Sequence, residues 1–292
     1  LIIFSKIITG VVLVLCIYAD VFQFQKLLAA IKSADGYSNA ISSLLASNHE
    51  FGLYLSFGIV SVTFLLANCK GVVWQKIMYS FFIALFFFNL IFTFSRTSLI
   101  SVLIAGAIAV NTMKKYRLAF ISIVLLFAGI ILMSQDLRDF ILYAVLRVHH
   151  DGNRSILLKG GIEYFLKGSI KDKLIGVGPS QTLRYVREIS SSINFHNGYI
   201  TILISGGLSM MMFFLYIVID GFCRGFKVLR YNKYDGAYML AASTIMLLYM
   251  WGQTPIIFTS DLISSMLTFY CVIIPKYYFN YHKFSSQNSA NV

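Results

Sequence analysis

Apolar positions along this chain fall into long unbroken runs separated by short polar stretches. Eight runs, roughly 1–18, 51–68, 77–95, 98–113, 118–134, 199–219, 237–254 and 258–275, approach the ~20 residues that cross a hydrocarbon core about 30 Å thick. In lipid, only helices and closed barrels satisfy every backbone polar group. The runs are continuous rather than alternating, which selects helices. The pattern predicts an all-α fold: a polytopic transmembrane helical bundle forming a single membrane domain over residues 1–292.

The segment from about 135 to 197 breaks the rhythm without losing pattern. DLRDFILYAVLR and NRSILLKGGIEYFLKG carry apolar residues at helical spacing, which predicts amphipathic helices lying on the membrane face. GVGPS at 176–180 supplies a Gly/Pro turn, and TLRYVREI reads as a further short helix. The chain opens at Leu1 already inside an apolar run with no small-residue cleavage signature after it. That reads as a truncated N-terminus, with earlier membrane helices missing, rather than a signal peptide.

Composition agrees with this picture. Hydrophobic residues make up 58% of the chain and charged residues 12%, with a mean hydropathy of +0.75; soluble domains carry about 25% charged residues. The formal charge of +12 would suggest nucleic acid in a soluble protein. Here the basic residues cluster at the ends of apolar runs, and no nucleic-acid motif accompanies them. Lys70 and Lys76, the group Lys114, Lys115 and Arg117, the group Arg224, Lys227, Arg230 and Lys233, and finally Lys276 and Lys283 all fall on one side if the eight runs alternate. The positive-inside rule makes that side cytoplasmic. The segment 19–50, the SRTS corner at 95–98 and the long loop 135–197 then share the opposite face. The loop holds nine Lys/Arg, but long loops translocate largely regardless of charge. Cys16, Cys69, Cys223 and Cys271 form no CxxC pattern and read as small membrane-core hydrophobes.

Three places on that outer face could carry chemistry. Arg96 interrupts an otherwise nearly continuous apolar stretch, FTFSRTSLI. A charge at the centre of a span costs about 2.5–3.5 kcal/mol on insertion scales, so this arginine needs an interface, a partner or a function. Arg154 precedes an amphipathic helix within the long loop, and His196-Asn197 stands directly before the sixth run. Two guanidinium groups suit a diphosphate, whose oxygens they bind in bidentate fashion. A histidine titrating near neutrality suits removal of a proton from a hydroxyl. Transfer from a lipid-diphosphate donor fits all three, with Asn197 as a further substrate contact.

These residues lie in motifs that resemble, in order, those of the O-antigen ligase and polymerase superfamily: FSRTSLISVLIAG, then NRSILLKGGIEYFLKG with KLIGVGPSQ, then FHNGYITILISGGL. NHEFGLYLSFGI at 48–59 is similar to the segment that opens an earlier helix in those proteins, so the resemblance covers about residues 48 to 220. It implies a metal-independent membrane glycosyltransferase whose donor is a glycan on undecaprenyl diphosphate. It needs no cofactor and works at the periplasmic or extracellular face of a bacterial inner membrane. Arg96 and Arg154 would hold the diphosphate and stabilise it as a leaving group, and His196 would orient or deprotonate the acceptor hydroxyl. Polymerases extend a lipid-linked repeat, whereas ligases move the finished chain to lipid A-core. The ligase motif places Gly, Thr or Tyr three residues after its first glycine; here Gly207 is followed at that position by Met210, which favours polymerase. Partners implied are the bilayer, a flippase and a chain-length regulator.

No DxD pair occurs to hold a divalent metal on a nucleotide-sugar, and neither GxSxG nor a Walker loop is present. Asp136 and Asp139 read as helix-start charges, and His149-His150-Asp151 as a polar loop, since adjacent histidines point in different directions. A flippase for polyprenyl-linked oligosaccharides is the alternative of another class. Transporters tend to show repeated halves, helices broken near the midplane and charges within spans. In this chain Lys6 and Asp261 are the candidates within runs, both near the ends. Gly206-Gly207 reads as a pair that lets helices pack closely.

Overall fold

The computed structural model describes residues 1–32, 40–45, 47–69, 73–112, 154–189 and 195–252, with backbone alone at 30–32, 109–112, 154 and 252. Among the described residues the chain is helical, without strands. The helices are α1 (Ile2–Phe22), α2 (Phe24–Lys32), α3 (Asn48–Asn68), α4 (Val73–Phe92), α5 (Arg96–Thr112), α6 (Arg154–Lys167), α7 (Ile170–Ile175), α8 (Pro179–Ile189), α9 (Gly198–Tyr231) and α10 (Lys233–Gly252). Four of them, α1, α3, α4 and α9, are long and apolar enough to cross a membrane. This is an all-α polytopic membrane protein. The predicted runs 118–134 and 258–275, the DxxD pair and the His149-His150-Asp151 cluster lie outside the described residues.

The chain divides into two compact units, residues 1–148 with 229–245, and residues 149–228 with 246–292. At the centre of the first unit is α3, which packs against α1, α4 and α5. Its sequence is apolar on every side, and a helix of that kind is stable only when surrounded. Small residues allow the approach. Gly52 faces Ser95 and Ser98 of the α4–α5 corner, and Gly58 faces Val12 of α1 and Phe86 of α4. A Cβ added at either glycine would stand 2.8 Å from a neighbouring side-chain atom. Farther along α3, Ser61 Oγ lies 3.2 Å from the hydroxyl of Tyr238. Phe64 packs on the same tyrosine ring at 4.8 Å. By contrast α4 turns Val73, Trp74, Phe81 and Phe88 outward, as a lipid-facing helix does.

The second unit is built around Leu157 of α6, Val186 of α8, and Phe195 and Ile204 of the α9 region, all buried. Tyr164 of α6 packs on Tyr185 of α8 with ring centroids 3.9 Å apart, and the Tyr185 hydroxyl donates to the Gly160 carbonyl at 3.1 Å. Between them α7 opens with a capping box. Ser169 Oγ accepts from the Asp172 amide, and the Asp172 carboxylate accepts from the Ser169 amide. That arrangement satisfies two helix-end donors reciprocally.

The structure corrects one predicted boundary. The sixth run, expected as a simple span over 199–219, is a helix over Gly198–Tyr231 interrupted at Gly207, whose φ is 67° and ψ −168°. Only glycine adopts that backbone cheaply. The carbonyls just before the break accept from the GVG loop: Val177 N donates to Ile204 O and Gly178 N to Ser205 O, both at 3.0 Å. In an apolar surrounding each orphaned backbone group costs several kcal/mol, so a broken helix needs such donors. Gly206-Gly207, expected to serve helix packing, is thus where the helix breaks, and the loop glycines supply its complement.

Candidate functional site

Arg96 is the first residue of α5. The turn at Thr93–Phe94 separates it from α4, and Phe94 takes a φ of 52° there. A phenylalanine in the left-handed region costs on the order of 1–3 kcal/mol and persists only where its surroundings impose it. The surroundings are a dense set of polar contacts. Thr93 Oγ1 donates to Leu90 O at 2.7 Å and accepts from Ser95 N at 3.2 Å. Asn48 Nδ2, from the start of α3, donates to Thr93 O at 2.8 Å. Ser95 Oγ lies 2.8 Å from Ser98 Oγ and 3.4 Å from His49 Nδ1. The Nε and Nη2 atoms of Arg96 are shielded from solvent. At this position a guanidinium stands at the positive end of its own helix dipole, an arrangement that repels a cation and attracts an anion.

The neighbouring end of α1 closes this corner. Gln23 Oε1 accepts from the Ser42 and Ser43 amides at 3.1 and 3.2 Å, and Ile41 N donates to Phe92 O at 3.2 Å. Asn89 Nδ2 donates to Asp20 Oδ2 at 3.3 Å. Sequence reasoning gave no role to Asn48, His49 or Gln23. The NHE triplet at the start of an apolar run was the available signal for the first two.

Arg154 likewise opens a helix, α6. Leu157, one turn further on, is buried with Phe195, the residue directly before His196. The segments that carry Arg154 and His196 therefore share one core. Arg96 belongs to the other compact unit.

His196 has a φ of 50°, so the residue expected to handle a proton is held in the left-handed region. It is flanked by Phe195, 2% exposed, and Asn197, 6% exposed, and its Nδ1 is shielded from solvent. Asn197, expected as a substrate contact, has a definite structural task. Its Oδ1 accepts from Ile200 N at 3.1 Å, which caps α9, and its Nδ2 donates to Trp251 O at 3.2 Å. Tyr199 OH donates to Leu247 O at 2.7 Å, adding a second tie to the 246–252 stretch. His196 thus precedes the cap of a helix, as Arg96 and Arg154 each begin one.

A cleft of about 290 Å³ opens in the second unit, lined by Tyr164, Phe165, Lys167, Ser169, Asp172 and Ile204 among others. Near it, the hydrogen bond from Lys167 holds the Glu163 carboxyl below its usual range and raises the lysine in turn. Burial pushes the Tyr185 phenol above its ordinary value, with the Glu163 charge adding to the effect. Among the described residues no three His, Cys, Asp or Glu side chains are grouped to hold a metal ion. No protein-family model matches this chain, and no curated protein matches it significantly.

Proposed function

We propose that this protein is a membrane glycosyltransferase that moves a glycan from an undecaprenyl-diphosphate carrier to an acceptor hydroxyl, polymerising surface-polysaccharide repeat units. The observation that carries the reading is that Arg96 and Arg154 open helices α5 and α6, while His196 stands just before the start of α9. Arginine at a helix N-terminus adds its charge to the positive dipole end, and together they favour a phosphate anion. Strained backbone at His196 and at Phe94, beside Arg96, fits positions held for function rather than for stability.

In the reaction, the acceptor oxygen attacks the anomeric carbon of the donor glycan. A new C–O bond forms there and the C–O bond to the diphosphate breaks. His196 accepts the acceptor hydroxyl proton, and the arginines stabilise the departing undecaprenyl diphosphate. The reaction then takes place at the extracytoplasmic face of a bacterial inner membrane. Ligation of finished chains to lipid A-core is the alternative acceptor choice, and Met210 at the last motif position favours polymerisation over it.

One observation favours a second reading. The break in α9 at Gly207 is a discontinuity of the kind that transporter helices use to hold substrate. A polyprenyl-linked oligosaccharide flippase would use the same cations without needing His196.

The test is a strain lacking the gene, complemented with wild type or His196→Ala at matched membrane levels, with polysaccharide and lipid carrier run on a gel. Collapse of the ladder to single repeats on lipid A-core supports polymerisation. Long chains stranded on undecaprenyl diphosphate support ligation. An unchanged pattern overturns the transferase reading.

A further inference from the structure

The break in α9 marks a boundary in side-chain exposure. Among residues 198–207 no large apolar side chain is exposed, whereas Leu208, Met212, Phe213, Leu215, Tyr216 and Ile219 all are. From the kink the apolar stretch of α9 runs on to Ile219, just before Asp220 and Arg224. On α9 the exposed large apolar side chains therefore start at the Gly207 kink.

The short helix α7 is fixed at that same level. Its end packs on the kink: a Cβ added to Gly207 would stand 2.6 Å from the backbone of Leu174. The α6–α7 turn exposes Leu166, Ile170, Leu174 and Ile175, with Ile170 78% exposed. Lys171 and Lys173 stand between these residues and make no ion pair among the described residues. The acidic groups nearby are already engaged, Glu163 by Lys167 and Asp172 by the α7 cap. What remains is an apolar ridge with two lysines outside any ion pair among the described residues, beside the start of the exposed apolar side chains of α9.

We propose that the α6–α7 turn is a docking surface for the headgroups of anionic phospholipid, with Ile170 and Leu174 in the acyl boundary and Lys171 and Lys173 at the phosphates. Aliphatic residues on one side and lysines beside them match such an interface in polarity and in charge. This surface is separate from the transferase reading and stands or falls without it.

The test uses the full chain in nanodiscs. With Trp74 and Trp251 replaced by Phe, an Ile170→Trp reporter is quenched by brominated phosphatidylglycerol and, less strongly, by brominated phosphatidylcholine. Native mass spectrometry of the chain with its tryptophans intact gives the second measurement. Each lysine contributes about fivefold to retention of phosphatidylglycerol, so Lys171→Gln with Lys173→Gln sheds that lipid by well over tenfold. A reporter that neither lipid quenches overturns the docking. Equal quenching by both lipids, or unchanged retention in the lysine double variant, overturns the preference for anionic lipid.

Discussion

Gly176 and Gly207 meet backbone to backbone, so closely that a Cβ added to Gly207 would stand 2.6 Å from the Gly176 amide nitrogen. Both have positive φ, 76° and 67°. Neither position can hold a side chain without moving the other segment.

The contact predicts a contrast between Gly207 of α9 and Gly178 of the GVG loop. Gly207→Ala combines left-handed strain with a backbone collision and should destabilise the protein by about 3 kcal/mol or more. Gly178→Ala has φ 83° but nothing within 4 Å of the added carbon, so it should cost only about 1 kcal/mol. Thermal unfolding in detergent separates the two. Equal losses would mean that strain alone, and not the docking of loop on helix, decides the effect.

At His196, function and stability should separate. Replacing it with glycine relieves a φ of 50° and should raise stability by on the order of 1 kcal/mol, while the proposed transferase activity should be lost. A stabilised and fully active His196→Gly protein would remove the imidazole from the mechanism.

Arg96→Lys keeps the charge at the head of α5 and loses the fork. If the guanidinium grips a diphosphate, losing one charge-assisted hydrogen bond at about 1.5–3 kcal/mol lowers turnover at least tenfold. Membrane levels should not change. Full activity in the lysine variant would make Arg96 a topological anchor.

Tyr185 gives a pH dependence with a definite sign. Its phenol is raised in the folded protein, chiefly by burial, so the native state favours the protonated form. The stability this supplies is intact below the unfolded phenol range near pH 10 and is lost as pH rises through the folded value. Tyr185→Phe should remove that alkaline decline. At neutral pH it should cost about 1 kcal/mol for the lost bond to Gly160 O. Unfolding curves at pH 7 and pH 11 read both effects.

The membrane helices were legible because a bilayer imposes a length and tolerates few polar groups; α1, α3 and α4 lie within a few residues of their predicted runs. Asn197 before α9 was readable as a helix-start residue. The corner at Ser95 was readable too, because Arg96 interrupts an apolar run there. The kink at Gly207 was not, since ITILISGGLSMM stays apolar through it and a glycine pair in a span fits close packing equally well. Nor was the strain at Phe94 and His196 visible. Side chains that ordinarily avoid positive φ occupy it only because distant contacts require it, and a local reading of the chain does not contain those contacts. The loop glycines were correctly read as a turn, but the partner of that turn lies on α9, well away in sequence.

The pairing of Val177 and Gly178 with the carbonyls of Ile204 and Ser205 bears on how the protein is made. Chains are built from the N-terminus, so the GVG loop exists before the helix it must complete has left the ribosome. When residues 204–207 arrive, their two carbonyls meet donors already in place. A ribosome halted between the two segments would leave the loop amides waiting on water. Ordering of the loop therefore waits on α9, and a chain ended before Ile204 should leave the Val177 and Gly178 amides open to hydrogen exchange.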